Sequence, residues 1–260
     1  MTRQSTKRLY VTRNSRYVHR NINNDNGSLM NALVSYRYES PVATLTLNNG
    51  KVNALSPAVI DALNEALDQA EKDKAIVVIT GQPGILSGGF DLKVMMSGPQ
   101  QAIDLVTMGS RLSRRLLSHP FPVIVACGGH AVAKGAFLLL SADYRIGVKG
   151  AFTIGLNEVA IGMTMHQAGI EIARDRLPRP AFQRAVIGAE MFSPEAAAEA
   201  GFLDEVVPPE ALEDAVHRAA MRLSKLNMSA HGNTKVKARA PLLSALDEAI
   251  ALDAQHFGRA

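Results

Sequence analysis

Short apolar runs and amphipathic stretches alternate along the chain, and their periods predict its secondary structure. In residues 43–47 (ATLTL) apolar residues alternate with threonine, and this period of two predicts a half-buried strand. The uninterrupted apolar runs 75–80 (AIVVIT) and 122–126 (PVIVA) predict short buried strands. Ser56-Pro57 predicts the start of a helix, because serine caps a first turn and proline fits its first position.

Helical periodicity dominates the later part of the chain. The pattern predicts helices over residues 100–117, 133–141, 167–176, 181–188, 193–200, 209–225 and 241–257. Strands placed early and helices placed late predict an α/β fold. Because no low-complexity linker interrupts the chain, we divide it into a basic leader outside the core (1–29), a core (30–207) and a C-terminal helical extension (208–260).

The composition is that of an ordinary globular protein. Of the 260 residues 47% are hydrophobic and 20% charged, and these values exclude a collagen-like or low-complexity chain. Cys127 is the only cysteine, which excludes a disulfide scaffold and is typical of a reducing compartment, so we predict a cytoplasmic protein. The apolar segment 121–142 is interrupted by glycines, a histidine and a lysine, and we therefore predict no membrane span.

The net charge of +4 is concentrated at the N-terminus. Residues 1–29 carry six basic side chains and one acidic side chain, a net charge of +5, so the remaining chain has a net charge of −1. Any nucleic-acid binding would belong to this leader, and we predict none for the folded body. A transit peptide or a basic binding arm would also explain the leader, but we favour a disordered or appended segment because its residues lack periodicity.

Two glycine-rich turns, 86–92 (LSGGFDL) and 128–135 (GGHAVAKG), follow predicted strands and precede predicted helices. Neither has the spacing of a dinucleotide-binding loop or a P-loop. Such turns expose backbone N–H groups, and the helix N-terminus adds partial positive charge. If the two turns converge they would form an oxyanion hole, whereas each alone is also explained as an ordinary turn, with His130 as a structural hydrogen bonder.

Glu158 is a single acid in a run, 154–162, that is otherwise apolar apart from Asn157. Such a carboxylate is either a surface residue at a loop bend or a desolvated base with a raised pKa. The residues alone leave both interpretations open.

Taken in order, these segments resemble the enoyl-CoA hydratase/isomerase (crotonase) superfamily. The resemblance is carried by six pieces: 53–55 (NAL), 87–92 (SGGFDL), the turn 128–135 followed by Ala142-Asp143, the Glu158 loop, 192–196 (FSPEA) and 200–207 (AGFLDEVV). It implies a spiral of repeated ββα units with a helical C-terminal region, assembled as a homotrimer or a dimer of trimers. It also implies a coenzyme A thioester substrate, with no metal and no other cofactor.

The resemblance assigns roles to particular residues of this chain. The thioester carbonyl oxygen would lie between the backbone N–H groups of Phe90 and Lys134, although the family usually has glycine at the position of Lys134. The residues implied to bind coenzyme A are Asn53, Ala54, Leu55, Gly89 and Asp91, the first three through their backbone at the adenine. We expect Phe137, Met163 and Met165 to line the acyl pocket. The two methionines flank the Glu158 loop and their flexible thioethers suit an acyl chain, but a core role is the alternative for both.

The carboxylate count decides between the family's reactions. Hydratases usually carry two glutamates, but Phe137 occupies the first position here and only Glu158 remains. Adding water needs a base and an acid, whereas moving a double bond from C3 to C2 needs only one group that takes and returns a proton. Residues 154–158 also resemble the single-glutamate Δ3,Δ2-enoyl-CoA isomerases, so we predict an isomerase. The alternatives are a hydratase that pairs Glu158 with a second group such as His166, and a non-catalytic acyl-CoA-binding protein.

Overall fold

The computed structural model describes residues 29, 30 and 33–256, so the predicted leader lies outside the described residues except for Leu29. The strands are β1 (Leu29–Met30), β2 (Val34–Glu39), β3 (Val42–Leu47), β4 (Ile76–Thr80), β5 (Gly84–Ser87), β6 (Val123–Cys127), β7 (Gly129–Val132), β8 (Tyr144–Val148), β9 (Ile154–Gly155), β10 (Met191–Phe192) and β11 (Glu205–Val207). The helices are α1 (Pro57–Lys72), α2 (Leu92–Met95), α3 (Pro99–Ser118), α4 (Lys134–Leu140), α5 (Gln167–Arg176), α6 (Arg179–Phe182), α7 (Pro194–Glu199), α8 (Leu212–Leu223), α9 (Met228–Ala238) and α10 (Ala240–His256).

The strands form two sheets in the described part of the chain. The larger sheet has the order β1-β2-β3-β4-β6-β8-β11, and the smaller has the order β10-β9-β7-β5. From β3 to β11 the larger sheet is parallel, and β2 is antiparallel to both β1 and β3. In the smaller sheet β5, β7 and β9 are parallel and β10 is antiparallel.

A ββα unit repeats three times and links the two sheets. In each unit the first strand lies in the larger sheet, the second lies in the smaller sheet, and a helix follows; the units are β4-β5-α3, β6-β7-α4 and β8-β9-α5. This arrangement confirms the predicted α/β spiral of ββα units. Strands β5 and β7 overlap the segments that were expected only as turns. Each of them is four residues long and begins with a glycine.

The local sequence explains the first elements. In β3 the side chains of Ala43, Leu45 and Leu47 are fully buried while the threonines lie on the other face, so the predicted half-buried strand is confirmed. At the start of α1 the Ser56 hydroxyl accepts a hydrogen bond from the Val59 N–H at 3.4 Å, which caps the helix as predicted.

Both faces of the larger sheet are covered. One face packs on α1 in the main core, which contains Leu45, Val77 and Val125 and also buried residues of α3. The opposite face carries a second cluster in which Ile124 and Ile146 meet the small side chains of α8. Strands that are buried on both faces are apolar throughout. The apolar runs 75–80 and 122–126 therefore predicted β4 and β6 correctly.

After β11 the chain forms a 3-10 turn at Pro209–Ala211 and the helices α8, α9 and α10, of which α9 lies outside the predicted helices 209–225 and 241–257. Helix α10 packs against α3 and α5. Helix α9 is anchored by Lys235, whose Nζ donates to Asp143 Oδ2 at 2.5 Å, and by Arg239, whose Nη1 lies 2.9 Å from Asp143 Oδ1. No helix in residues 33–256 is both long enough and apolar enough to cross a membrane.

Candidate active site

The two glycine turns meet at the N-terminus of α4. A Cβ built on Gly89, whose φ is +103°, would lie 3.0 Å from Ala133 Cβ and 3.4 Å from the Lys134 nitrogen. A Cβ on Gly135 would lie 2.2 Å from the Ser87 carbonyl oxygen. Glycine at these positions therefore allows the backbone of one turn to contact that of the other.

This contact puts Gly89, the residue before Phe90, beside the backbone nitrogen of Lys134. The Leu55 N–H donates to Gly89 O at 2.8 Å and Leu55 O accepts from the Asp91 N–H at 3.1 Å, so the Phe90 N–H points away from Leu55. Lys134 is the first residue of α4, where a backbone N–H has no acceptor within the helix. The two donors named from the family resemblance are thus neighbours at a helix N-terminus.

The predicted coenzyme-binding residues are paired with each other beside the contact between the two glycine turns. The Leu55–Phe90 bridge joins residues 53–55 to residues 89–91. Asn53 is buried with φ +47°, and its Nδ2 donates to the carbonyls of Leu47 and Leu86 at 3.2 Å each. The Asn53 side chain therefore holds the loop together and is not available to a ligand.

Asp91 and Ser87 complete the first turn. The Asp91 Oδ1 accepts from the Lys93 N–H at 2.9 Å and caps the short helix α2. The Ser87 hydroxyl donates to Asn53 O at 2.7 Å and accepts from the Gly89 N–H at 3.1 Å. Both side chains fix the conformation of the turn that presents the Phe90 N–H.

Glu158 is buried, with 9% of its surface exposed, at the start of a 3-10 turn that spans Val159–Ile161. Its carbonyl accepts from the Met163 N–H at 2.9 Å, which closes the loop, while its Oε2 has no hydrogen-bond partner among the described residues. Burial raises the pKa of Glu158 to about 7, although its own backbone N–H and the charge of Lys134 lower it. Of the two interpretations open from sequence, the desolvated carboxyl is the observed one.

The rings of Phe137 and His166 pack against each other, and Phe137 lies near the Lys134 side chain. Phe137 is fully buried, and its ring meets the His166 ring edge-on with centroids 5.4 Å apart. Gly169 on α5 makes room for both rings, because a Cβ there would lie 2.8 Å from Phe137 Cζ. Burial and the charge of Lys134 lower the pKa of His166 to about 3, so this histidine is uncharged at neutral pH.

The side chain of Lys134 is a part of this site that sequence analysis missed. Lys134 is 1% exposed, and its Nζ donates to the Ser113 hydroxyl at 2.5 Å and lies 6.0 Å from the Phe137 ring centroid. The signal was available, since every residue of α4 is buried and a helix that is apolar all round predicts burial of any lysine within it.

The remaining predicted residues have mainly structural surroundings. Met165 belongs to the main core, while Met163 is half-buried beside the Glu158 loop. The His130 Nδ1 accepts from the Thr153 N–H at 3.0 Å, so its expected role as a structural hydrogen bonder is confirmed. Among residues 33–256 no three His, Cys, Asp or Glu side chains are grouped so as to hold a metal ion.

Comparison with known proteins gives the family of this fold and site. The profile of the enoyl-CoA hydratase/isomerase family matches residues 37–260. The chain belongs to this family. An enoyl-CoA hydratase/isomerase family protein from Pseudomonas syringae is 68% identical in a crystal structure that covers 86% of this chain and 98% of that one, with a TM-score of 0.86.

Relatives within the enoyl-CoA hydratase/isomerase family carry names for both reactions. A protein of Mycobacterium tuberculosis is called an enoyl-CoA isomerase in one solved structure, which is 44% identical with a TM-score of 0.83 over 88% of this chain and 100% of that one. A second structure of it calls it a probable enoyl-CoA hydratase. A protein of Bacillus subtilis named "Probable enoyl-CoA hydratase" is 34% identical over 154 residues, which are 58% of this chain and 57% of the relative. The chain thus spans little more than half of that relative's length, and membership of the family leaves the reaction to be argued from the site.

Proposed function

We propose that this protein moves the double bond of a 3-enoyl-CoA thioester to the 2-position, with Glu158 as the group that carries the proton. One observation supports the choice of isomerisation. Lys134 is the only other ionisable side chain that affects the pKa of Glu158 among the described residues, and Phe137, not a second carboxylate, lies in α4 where hydratases carry their first glutamate. A single desolvated carboxyl suits a proton shuttle and lacks the partner that activates water.

In the first step Glu158 removes a proton from C2 of the substrate. The electron pair of the C2–H bond delocalises over the thioester and the adjoining double bond and gives a dienolate. The N–H groups of Phe90 and Lys134 would donate to the carbonyl oxygen as it gains charge. Each fixed donor of this kind contributes on the order of 3 kcal/mol in a site from which water is excluded.

In the second step the protonated Glu158 returns the same proton to C4. The double bond is then conjugated with the thioester, and the carboxylate is regenerated without a net change in atoms or charge. The raised pKa of Glu158 suits both halves of this exchange, because a carboxyl with a pKa near 7 is a stronger base than an ordinary glutamate and still gives the proton back.

Hydration is the second candidate, because some relatives are named hydratases. His166 would be the second group, and its ring packs against that of Phe137. An uncharged histidine with a lowered pKa is a poor proton donor, which is why we rank hydration below isomerisation.

The test is an assay of the purified protein with both thioesters. We expect 3-enoyl-CoA to be converted with a rise in conjugated enoyl absorbance, and 2-enoyl-CoA to lose absorbance slowly by comparison. Rapid loss of absorbance from 2-enoyl-CoA would instead identify a hydratase. If neither thioester reacts while a CoA analogue raises the melting temperature, the protein binds acyl-CoA without these reactions.

The pH profile should report the titration of Glu158. Because the pKa of Glu158 is raised to about 7 and the base must be ionised, we expect kcat/KM for 3-enoyl-CoA to rise between pH 6 and about pH 8. Circular dichroism at each pH is the control for acid unfolding. A profile that is flat down to pH 5 would mean that the base is an ordinary carboxyl and not the buried Glu158.

A further inference from the structure

The side chains of Phe90 and Lys134, whose backbone N–H groups are the proposed donors, both rest on one face of α3. A Cβ on Gly109 would lie 2.4 Å from Phe90 Cζ and 3.2 Å from Lys134 Cε. One turn further along α3, Ser113 is fully buried, and its hydroxyl accepts a hydrogen bond from Lys134 Nζ. Residues four apart share a face of a helix. Gly109 and Ser113 therefore form one contact surface for both residues.

Gly109 lies inside α3, where glycine is less favourable than alanine. The Phe90 ring explains its presence, because a Cβ on Gly109 would also lie 2.5 Å from Phe90 Cε1. The ring is half-buried and packs on the main core. On either side of Phe90 the backbone is bonded to Leu55, through the Gly89 carbonyl and the Asp91 N–H. Phe90 is thus held at its backbone by Leu55 and at the tip of its ring by α3.

The Lys134 N–H belongs to a peptide group that follows a strained residue. Ala133 has φ +50° and ψ −121°, and a residue with a Cβ keeps such a conformation only where neighbouring contacts hold it. The Ala133 N–H donates to Gly155 O at 2.9 Å, and the Ala133 carbonyl accepts from the Phe137 N–H at 3.1 Å. The hydrogen bond from Lys134 Nζ to Ser113 anchors the residue on the other side of the same peptide group.

We propose that Gly109 and Ser113 are positioning residues of the active site, which act through Phe90 and Lys134 by fixing the directions of the two backbone N–H groups. The inference rests on the proposed role of these N–H groups as donors to the thioester oxygen. Such a donor stabilises the transition state fully only when its direction is fixed before the reaction. In this role α3 affects the reaction through the two donors and not through a contact with the substrate.

The test compares Ser113→Ala with Ser110→Ala. Ser110 lies on the same helix and is 2% exposed, and its hydroxyl has no hydrogen-bond partner in residues 33–256. Both changes remove one buried hydroxyl, but only the first releases Lys134. Because loss of a whole donor costs about 100-fold or more, we expect Ser113→Ala to lower kcat for 3-enoyl-CoA about tenfold. Its KM should change by less than about twofold. Ser110→Ala should keep both wild-type values.

The second readout is the infrared C=O stretching frequency of a bound saturated acyl-CoA, which has no double bond to move. Hydrogen bonds from the two donors polarise the C=O bond, so the wild-type protein should lower this frequency relative to the free thioester. Ser113→Ala should retain less than half of the lowering, and Ser110→Ala all of it. If Ser113 served packing alone, its replacement would reduce the Tm and leave the frequency unchanged, and that result would overturn the inference.

Gly109→Ala tests the other half of the contact surface. Its methyl group would displace the Phe90 ring, so we expect a similar, about tenfold, loss of kcat and a similar loss of the frequency shift, although alanine favours a helix more than glycine does. Wild-type values in Gly109→Ala, or loss of the fold in both variants, would overturn the inference. If only one of the two variants folds, that variant decides. Failure of the proposed function would appear differently, as a wild-type protein that does not isomerise 3-enoyl-CoA.

Discussion

Glu158→Gln should reduce the turnover of 3-enoyl-CoA by at least about 100-fold. The amide has the shape of the carboxyl but neither takes a proton from C2 nor gives one to C4. No other carboxylate among the described residues interacts with this side chain, so no neighbouring acid is positioned to replace it. The measurement is kcat for the conjugated product, compared with Glu65→Gln on the exposed side of α1, which should retain the wild-type rate.

The loss should occur without a loss of stability. The pKa of Glu158 is raised in the folded state, so its contribution to stability is present at low pH and is lost as the pH rises through about 7. A neutral amide avoids that cost, which amounts to at most about 3 kcal/mol above neutral pH. Glu158→Gln should therefore be at least as stable as wild type at pH 8. Residual activity within tenfold of wild type would place the acid–base group elsewhere.

The central fold was predictable because its signals are local. The runs in β4 and β6 are apolar throughout since helices cover both faces of the larger sheet, and the alternation in β3 matches its burial. The cap at Ser56 depends on adjacent residues only. These elements are determined by short stretches of sequence, and their bounds were predicted to within about two residues.

Elements that depend on tertiary contacts were missed. Strands β5 and β7 pair Gly84 with Gly129, and a Cβ on Gly129 would lie 1.9 Å from the Gly84 carbonyl carbon. Glycine is required there by close approach, yet glycine in a sequence predicts a turn. Helix α9 was also missed, because its one buried side chain is Lys235, a polar anchor that gives no apolar period.

In the candidate site, too, features carried by sequence motifs were predicted, and a feature that depends on tertiary contacts was missed. The pairing of the two glycine turns and the isolation of Glu158 were predicted from the order of motifs, and both turns do meet at α4. The buried Lys134 side chain was missed although its helix is otherwise apolar, because lysine is among the residues least often buried. The space it occupies is made by Gly109 and Ser113 on a distant helix, which the local sequence does not show. The acyl-pocket, coenzyme-binding and trimer assignments stay predictions.

Gly135→Ala should destabilise the protein by about 3 kcal/mol or more and remove its activity. The new Cβ would lie 2.2 Å from the carbonyl oxygen and 2.9 Å from the carbonyl carbon of Ser87. These are backbone atoms at the end of β5, so no side-chain rotation relieves the contact, and α4 must move away from the smaller sheet. That movement separates the Phe90 and Lys134 N–H groups. Urea denaturation measures the first effect, and the 3-enoyl-CoA assay measures the second.

The matched control lies in the same turn. A Cβ on Gly128 would meet nothing closer than Leu212 Cδ2 at 3.8 Å, so Gly128→Ala should be within about 1 kcal/mol of wild type because alanine only restricts the unfolded chain. The pair therefore compares the same chemical change with and without a backbone contact. If Gly135→Ala were as stable and as active as Gly128→Ala, the close approach of α4 to β5 would not be what holds the two N–H donors together. Placement of the thioester oxygen would then have to come from other groups.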